Sequence, residues 1–189
     1  GLDALAGSVV NVSGGWVGWF GDAHSGSVVN ILGGYVGHYF NAHADSLVNL
    51  SGGSIGLEFE ALSGSQVNIS GGQVDRDFRA HKESEVNITG GSIGSDFLAH
   101  DGSRVNIYGG TYGDGMKVSG ANATIYGGEY RIDGVPIPGG DVVGGIVDLE
   151  VPETSVLSGT LSDGTSFALS QLDGDSFADG GLKLHVTAL

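Results

Sequence analysis
The stretch Ser84–Gly110, SEVNITGGSIGSDFLAHDGSRVNIYGG, contains Val-Asn-Ile twice and Gly-Gly twice, each pair 19 residues apart. The step runs far beyond this stretch. Asparagine stands at Asn11, Asn30, Asn49, Asn68, Asn87 and Asn106, and Gly-Gly follows each at 14–15, 33–34, 52–53, 71–72, 90–91 and 109–110. A further pair, Gly127-Gly128, comes one residue early. Serine holds the column Ser8 to Ser103, and alanine holds Ala4 to Ala99. A bulky column reads Leu2, Phe40, Phe59, Phe78, Phe97 and Met116, with Gly21 as its exception.

Inside each repeat the apolar residues alternate. Val86 and Ile88 flank Asn87, and Phe97 and Ala99 flank Leu98, which is the period of a strand. Glycines divide the repeat into short strands joined by tight turns. A repeat this short has no room for a helix beside its strand, and a propeller blade needs about 40 residues. One repeat is therefore one coil of a β-solenoid, with coils stacked about 4.8 Å apart and like residues forming ladders along the axis. A lone coil cannot bury its Val, Ile and Phe, whereas a stack makes them a continuous interior. The reading is all-β: a parallel β-helix of about seven 18–19-residue coils over 1–138, then a C-terminal β-rich capping or attachment region over 139–189.

In repeat length, strand-turn rhythm and stacked ladders, residues 1–138 resemble the bacterial right-handed parallel β-helix proteins of the pectate-lyase-like and autotransporter-passenger class. The resemblance implies the architecture, a right-handed coil and secretion, and it includes no catalytic motif. Calcium-binding nonapeptide repeats are a poorer match. They read Gly-Gly-x-Gly-x-Asp, and this chain has Val or Ile at the third glycine.

The 189 residues carry a formal charge of −15, no cysteine, 37 glycines and 3 prolines. An acidic chain lacks the basic face that nucleic acid and anionic membranes demand. No apolar run reaches the length of a membrane span. Without cysteine there is no disulfide framework and no thiolate metal site. These features fit an extracellular or cell-surface bacterial protein. Gly1 enters mid-coil with no visible signal peptide or polar cap, so the first coil predicts an open edge that invites pairing. At the other end, YRIDGVPIPGGDVVGG reads as the exit from the stack. IVDLEV, VLSGTL, TSFALS and LKLHVTA follow as strands, with Asp-Gly turns at 163–164, 173–174 and 179–180. Asp173, Asp175 and Asp179 form a short acidic cluster that reads as turns before it reads as a calcium loop.

Several outward columns can carry chemistry. Trp16 with Tyr35, Trp19 with His38, and Phe20 with Tyr39 place an aromatic cluster on the first two coils, the composition of an interface or a sugar platform. Glu58, Asp77 and Asp96 share a column on three consecutive coils, where like charges repel unless a cation or a partner relieves them. Arg76 and Arg79 lie beside them. In β-helix enzymes acting on acidic polysaccharides, such carboxylates hold calcium or serve as acid and base. His24, His43, His81 and His100, interrupted by Leu62, form a stripe with no evident completing ligand; Glu58, Asp77, Asp96, His81 and His100 are the metal candidates, with calcium the only cofactor suggested. Tyr108, Tyr126, Tyr112 and Tyr130 close the core near the cap. The asparagine ladder faces outward and either bonds along the axis or orders water.

Six repeats without an insertion leave no loops to wall a cleft, and loops are where activity normally sits. The expectation is a secreted, non-enzymatic structural or adhesive solenoid, self-associating through its coil ends or aromatic patch, or binding a cell-surface glycan. The alternative is a polysaccharide lyase or hydrolase, or a carbohydrate-binding module, using Glu58, Asp77 and Asp96 on acidic glycans.

Overall fold
The computed structural model describes residues 1–118, 121–149, 155–170 and 182–189. It is an all-β, parallel β-solenoid of about six turns. Each coil contributes one two-residue strand to a narrow sheet, from Asp3–Ala4 through Asn41–Ala42 to Lys117–Val118, and the longer strands to a broad sheet. Pairing is parallel and advances by one repeat, so Asn30 meets Asn49 and Ala42 meets Ala61. In the first three coils the long strand is continuous, as in Val28–Val36, but bulged at Gly-Gly; later it splits, as in Gln66–Ile69 and Gln73–Val74.

Alternation sorts the columns as the sequence predicts. Val29, Ile31, Val36, Phe40 and Ala42 point inward and are fully buried, while Asn30 between them faces out. The phenylalanines form an interior stack, with ring centroids 5.5 Å apart for Phe40–Phe59 and 4.8 Å for both Phe59–Phe78 and Phe78–Phe97. Gly21 breaks the column because Phe40 leans over it: a Cβ there would stand 3.0 Å from the Phe40 ring. Serine, usually exposed, is buried from Ser27 to Ser103, its N–H closing a turn onto the carbonyl three residues back.

The asparagine ladder bonds along the axis. Asn30 Nδ2 donates to Asn11 Oδ1 at 2.8 Å, and the same bond repeats at 2.9, 3.0, 3.2 and 2.9 Å up to Asn106. Asn68→Ala removes two of these bonds, to Asn49 and from Asn87. The expected cost in urea unfolding is about 1 to 2 kcal/mol, because each half-buried amide left unpaired loses a net hydrogen bond. A cost near zero would mean that water replaces the ladder freely.

The stack is about one turn shorter than the seven expected, because the last weak coil is already cap. Its strand, Asn122–Ile132, pairs below with Arg104–Ile107, but its far edge is shared between two returning segments. Leu182–Val186 lies parallel on Ala123–Gly127, and Leu157–Leu161 lies antiparallel on Gly127–Ile132. Ser166–Leu169 and Ile146–Leu149 complete the cap with antiparallel pairs. Tyr130 is buried beneath, its hydroxyl donating to Ile125 O at 2.8 Å. The turn at Asp163-Gly164 forms as expected. Asp173, Asp175, Asp179 and their two Asp-Gly turns lie outside the described residues. Among the described residues no helix is long and apolar enough to cross a membrane.

Candidate functional site
One corner of the solenoid decides the site. Phe20, Tyr39, Glu58, Asp77 and Asp96 are successive members of one column, and all five have left-handed backbones, with φ of 58°, 60°, 55°, 62° and 60°. The reason lies in the corner's hydrogen bonds. Most neighbouring amides donate backward to the preceding coil, as Asn41 does to Gly21, whereas these five donate forward: Phe20 to His38 O, Tyr39 to Leu57 O, Glu58 to Arg76 O, Asp77 to Ser95 O and Asp96 to Asp114 O. A side chain in this conformation costs about 1 kcal/mol or more, and glycine takes the column only at its two ends, Gly1 and Gly115. The Phe20–Tyr39 column and the acidic column are thus one column, whose chemistry changes from ring to carboxylate between the second and third coils.

The aromatic half is exposed. Trp16 is 66% accessible, Trp19 51%, Phe20 68% and Tyr39 39%. Phe20 and Tyr39 stack with centroids 5.0 Å apart and planes within 9°, Trp19 meets the His38 ring at 5.4 Å, and Trp16 pairs in register with the half-buried Tyr35. Glycine makes the seats. A Cβ on Gly37 would fall 2.5 Å from Trp19 Cδ1, and one on Gly56 would fall 2.6 Å from His38 Nδ1. Leu5, Val9 and Leu32 add exposed apolar surface on the same coils. Before Arg76 the chain has no Lys or Arg, and its first 57 residues hold only Asp3, Asp22 and Asp45 as carboxylates.

Glu58 and Asp77 of the acidic half are ion-paired along an open corner. Arg79 reaches Glu60 at 3.2 Å and Glu58 at 3.7 Å, and Arg76 lies 3.8 Å from Asp77. Cavities open elsewhere: one of about 400 Å³ at the stack's exit, between Glu129–Arg131 and Pro136–Asp141, and one of about 290 Å³ bordered by Glu83, Glu85 and Arg104.

The histidine stripe has partners that the spacing did not reveal. Each imidazole faces the residue 21 positions earlier, on the coil below. His24 Nε2 lies 2.6 Å from Asp3, His43 Nε2 lies 2.8 Å from Asp22, and His81 Nε2 lies 3.5 Å from Glu60. The pairing leaves a trace in the sequence: where Asn41 replaces the acid, Leu62 replaces the histidine. Burial alone would raise the Asp22 carboxyl, but hydrogen bonds from His43 and Asn41 and the charges of His43 and His24 hold it below its ordinary value. His100 faces Arg79 instead. Burial first, then the charges of His81 and Arg79, lower its pKa against an opposing pull from Glu60. The rings stack at 5.4 Å for His24–His43 and 4.9 Å for His81–His100. Stacked rings hold their nitrogen lone pairs side by side, and among the described residues no three His, Asp or Glu side chains converge on a point that could hold a metal.

The tyrosines expected at the cap are there. Tyr108 stacks on Tyr126 at 4.2 Å, and burial, most strongly at Tyr112, holds the phenols of Tyr108, Tyr112 and Tyr130 in their protonated form. No family model, curated protein or solved structure matches the chain.

Proposed function
We propose that this chain is a secreted, non-enzymatic structural solenoid that self-associates through the aromatic strip of its first two coils. The observation that supports this most is the conformation of Phe20 and Tyr39. Bulky aromatic side chains are rare in the left-handed region, glycine would satisfy the corner without strain, and strain that persists on a surface points to use. Both rings are exposed. The chain as a whole is acidic, so copies repel except where charge is sparse. The strip is such a place, and the surface that best matches an uncharged aromatic strip is the same strip on a second copy.

The repeat itself supplies the variant that tests this. Phe20→Asp with Tyr39→Glu puts into the corner the residue types that Glu58, Asp77 and Asp96 already carry there in the same conformation, and Trp16→Ser follows Ser54 of its own column. The triple variant is expected to fold like the wild type and to lose association.

The second reading, a polysaccharide-acting enzyme or sugar-binding module with calcium as a possible cofactor, draws support from Arg76 and Arg79 beside Asp77 and Glu58, since guanidinium groups recognise uronate carboxylates. Incubation with polyuronates, with and without calcium, is expected to release no reducing or unsaturated ends. Release that Glu58→Gln or Asp77→Asn abolishes would replace the structural reading with the enzymatic one.

A further inference from the structure
The His38 imidazole is the one titratable ring nitrogen in the strip that serves as a backbone acceptor. Leu57 N–H donates to His38 Nδ1 at 2.8 Å. One coil later the equivalent amide, Arg76 N–H, donates to Asp75 Oδ1 at 2.9 Å. On these two coils a side-chain acceptor meets this amide, by different means. Asp75 supplies it from its own coil. In the coil of Leu57 the equivalent residue is Gly56, and its missing side chain opens the space into which His38 reaches from below.

An imidazole that accepts at Nδ1 is neutral and carries its proton on Nε2. A second proton turns Nδ1 into a donor facing another donor. The bond to Leu57 is then lost, and a cation is left against Trp19 on one side and the Tyr39 ring edge, 6.3 Å away, on the other. The titratable groups around it are the Tyr35 hydroxyl, 3.4 Å from Nδ1 itself and able to accept a hydrogen bond from the added proton once Leu57 is released, and the Tyr39 phenol on its own coil. On the coils above are Glu58, beside Leu57, and Asp75, whose charge acts with burial to raise Tyr35. Among the described residues, no carboxylate is hydrogen-bonded or ion-paired to His38. His24, His43 and His81 differ in geometry, because each has its Nε2 against a carboxylate of the coil below.

We propose that His38 is a proton-operated latch of the aromatic strip: neutral, it ties the strip to the Leu57 amide and keeps its rings in register; protonated, it lets go and the contact surface disassembles. This rests on the strip being the contact surface, but its test does not. The chain has two tryptophans, so Trp16→Ser leaves Trp19 as sole reporter beside His38. Its fluorescence, read on dilute protein, is expected to fall as the pH is lowered from about 7.5 to about 5, the range in which imidazole gains its proton, because an imidazolium against indole quenches it. Adding His38→Gln, whose amide oxygen still accepts from Leu57 but cannot titrate, is expected to flatten the profile. A flat profile with His38 in place, or the same fall with His38→Gln, would overturn the latch. In the Trp16-containing chain, association is expected to weaken over the same range and to hold in His38→Gln. A fluorescence step in a chain that never associates would keep the latch and refute self-association.

Discussion
Phe78→Ala is expected to destabilise the solenoid by about 4 kcal/mol, the range for removing a buried phenylalanine without refilling its space. Phe78 sits between Phe59 and Phe97, both rings 4.8 Å away, and is fully buried. Its neighbours cannot close the gap, because their own positions are set by strands in register with the coils above and below. The effect reaches beyond the lost burial. In a stack of coils stability is a sum of unit terms and nearest-neighbour interfaces, and this substitution weakens two interfaces at once. Urea unfolding should therefore show a lower midpoint and a broader transition as the two halves begin to melt separately. Phe97→Met, which copies Met116 of the same column, should cost far less. A loss under about 1 kcal/mol at Phe78 would show that the ring stack is not the core's main support.

The second large effect is at Gly53, with Gly15 as its control. Both have left-handed backbones, with φ of 70° and 78°. Alanine at either site pays about 1 kcal/mol for that conformation. At Gly15 nothing stands within 4 Å of the new Cβ, whereas at Gly53 it would meet Gly34 O at 2.5 Å and Gly33 C at 2.6 Å, both backbone atoms of the coil below. Gly15→Ala should lose only the conformational term. Gly53→Ala must also separate two coils and should be several-fold more damaging, measured by thermal or urea unfolding. Asparagine, which tolerates the left-handed region, should rescue position 15 and fail at position 53. Equal effects at the two sites would mean that turn conformation, not coil stacking, sets the need for glycine.

The stack was legible in the sequence because two periods agree. The step of 19 aligns Asn with Asn and Phe with Phe, and the alternation within a coil says which column faces inward. What stayed hidden depends on contacts that cross coils at an offset. The histidine–carboxylate pairs span 21 residues, one coil plus two, and only the joint change to Asn41 and Leu62 betrays them. The left-handed corner was hidden for a different reason. Its usual signal is glycine, and this column shows glycine only at its ends, Gly1 and Gly115, with rings and then carboxylates between them that read as two separate features. The cap strands were readable one by one, but their order was not. Leu182–Val186 pairs with a strand some 60 residues earlier, and nothing local in LKLHV announces that it returns parallel to Asn122–Ile132 rather than pairing with a neighbour in sequence.

In the function we propose, the regular coils are scaffold and the strained aromatic corner is where one copy meets another. Sedimentation equilibrium over a concentration series, run side by side on wild type and on Trp16→Ser/Phe20→Asp/Tyr39→Glu, tests that most directly. The wild type is predicted to gain mass above its 19.1 kDa as concentration rises, while the variant stays at the single-chain mass with an unchanged unfolding curve. Identical mass profiles for the two proteins, whether both single chains or both assemblies, would contradict it.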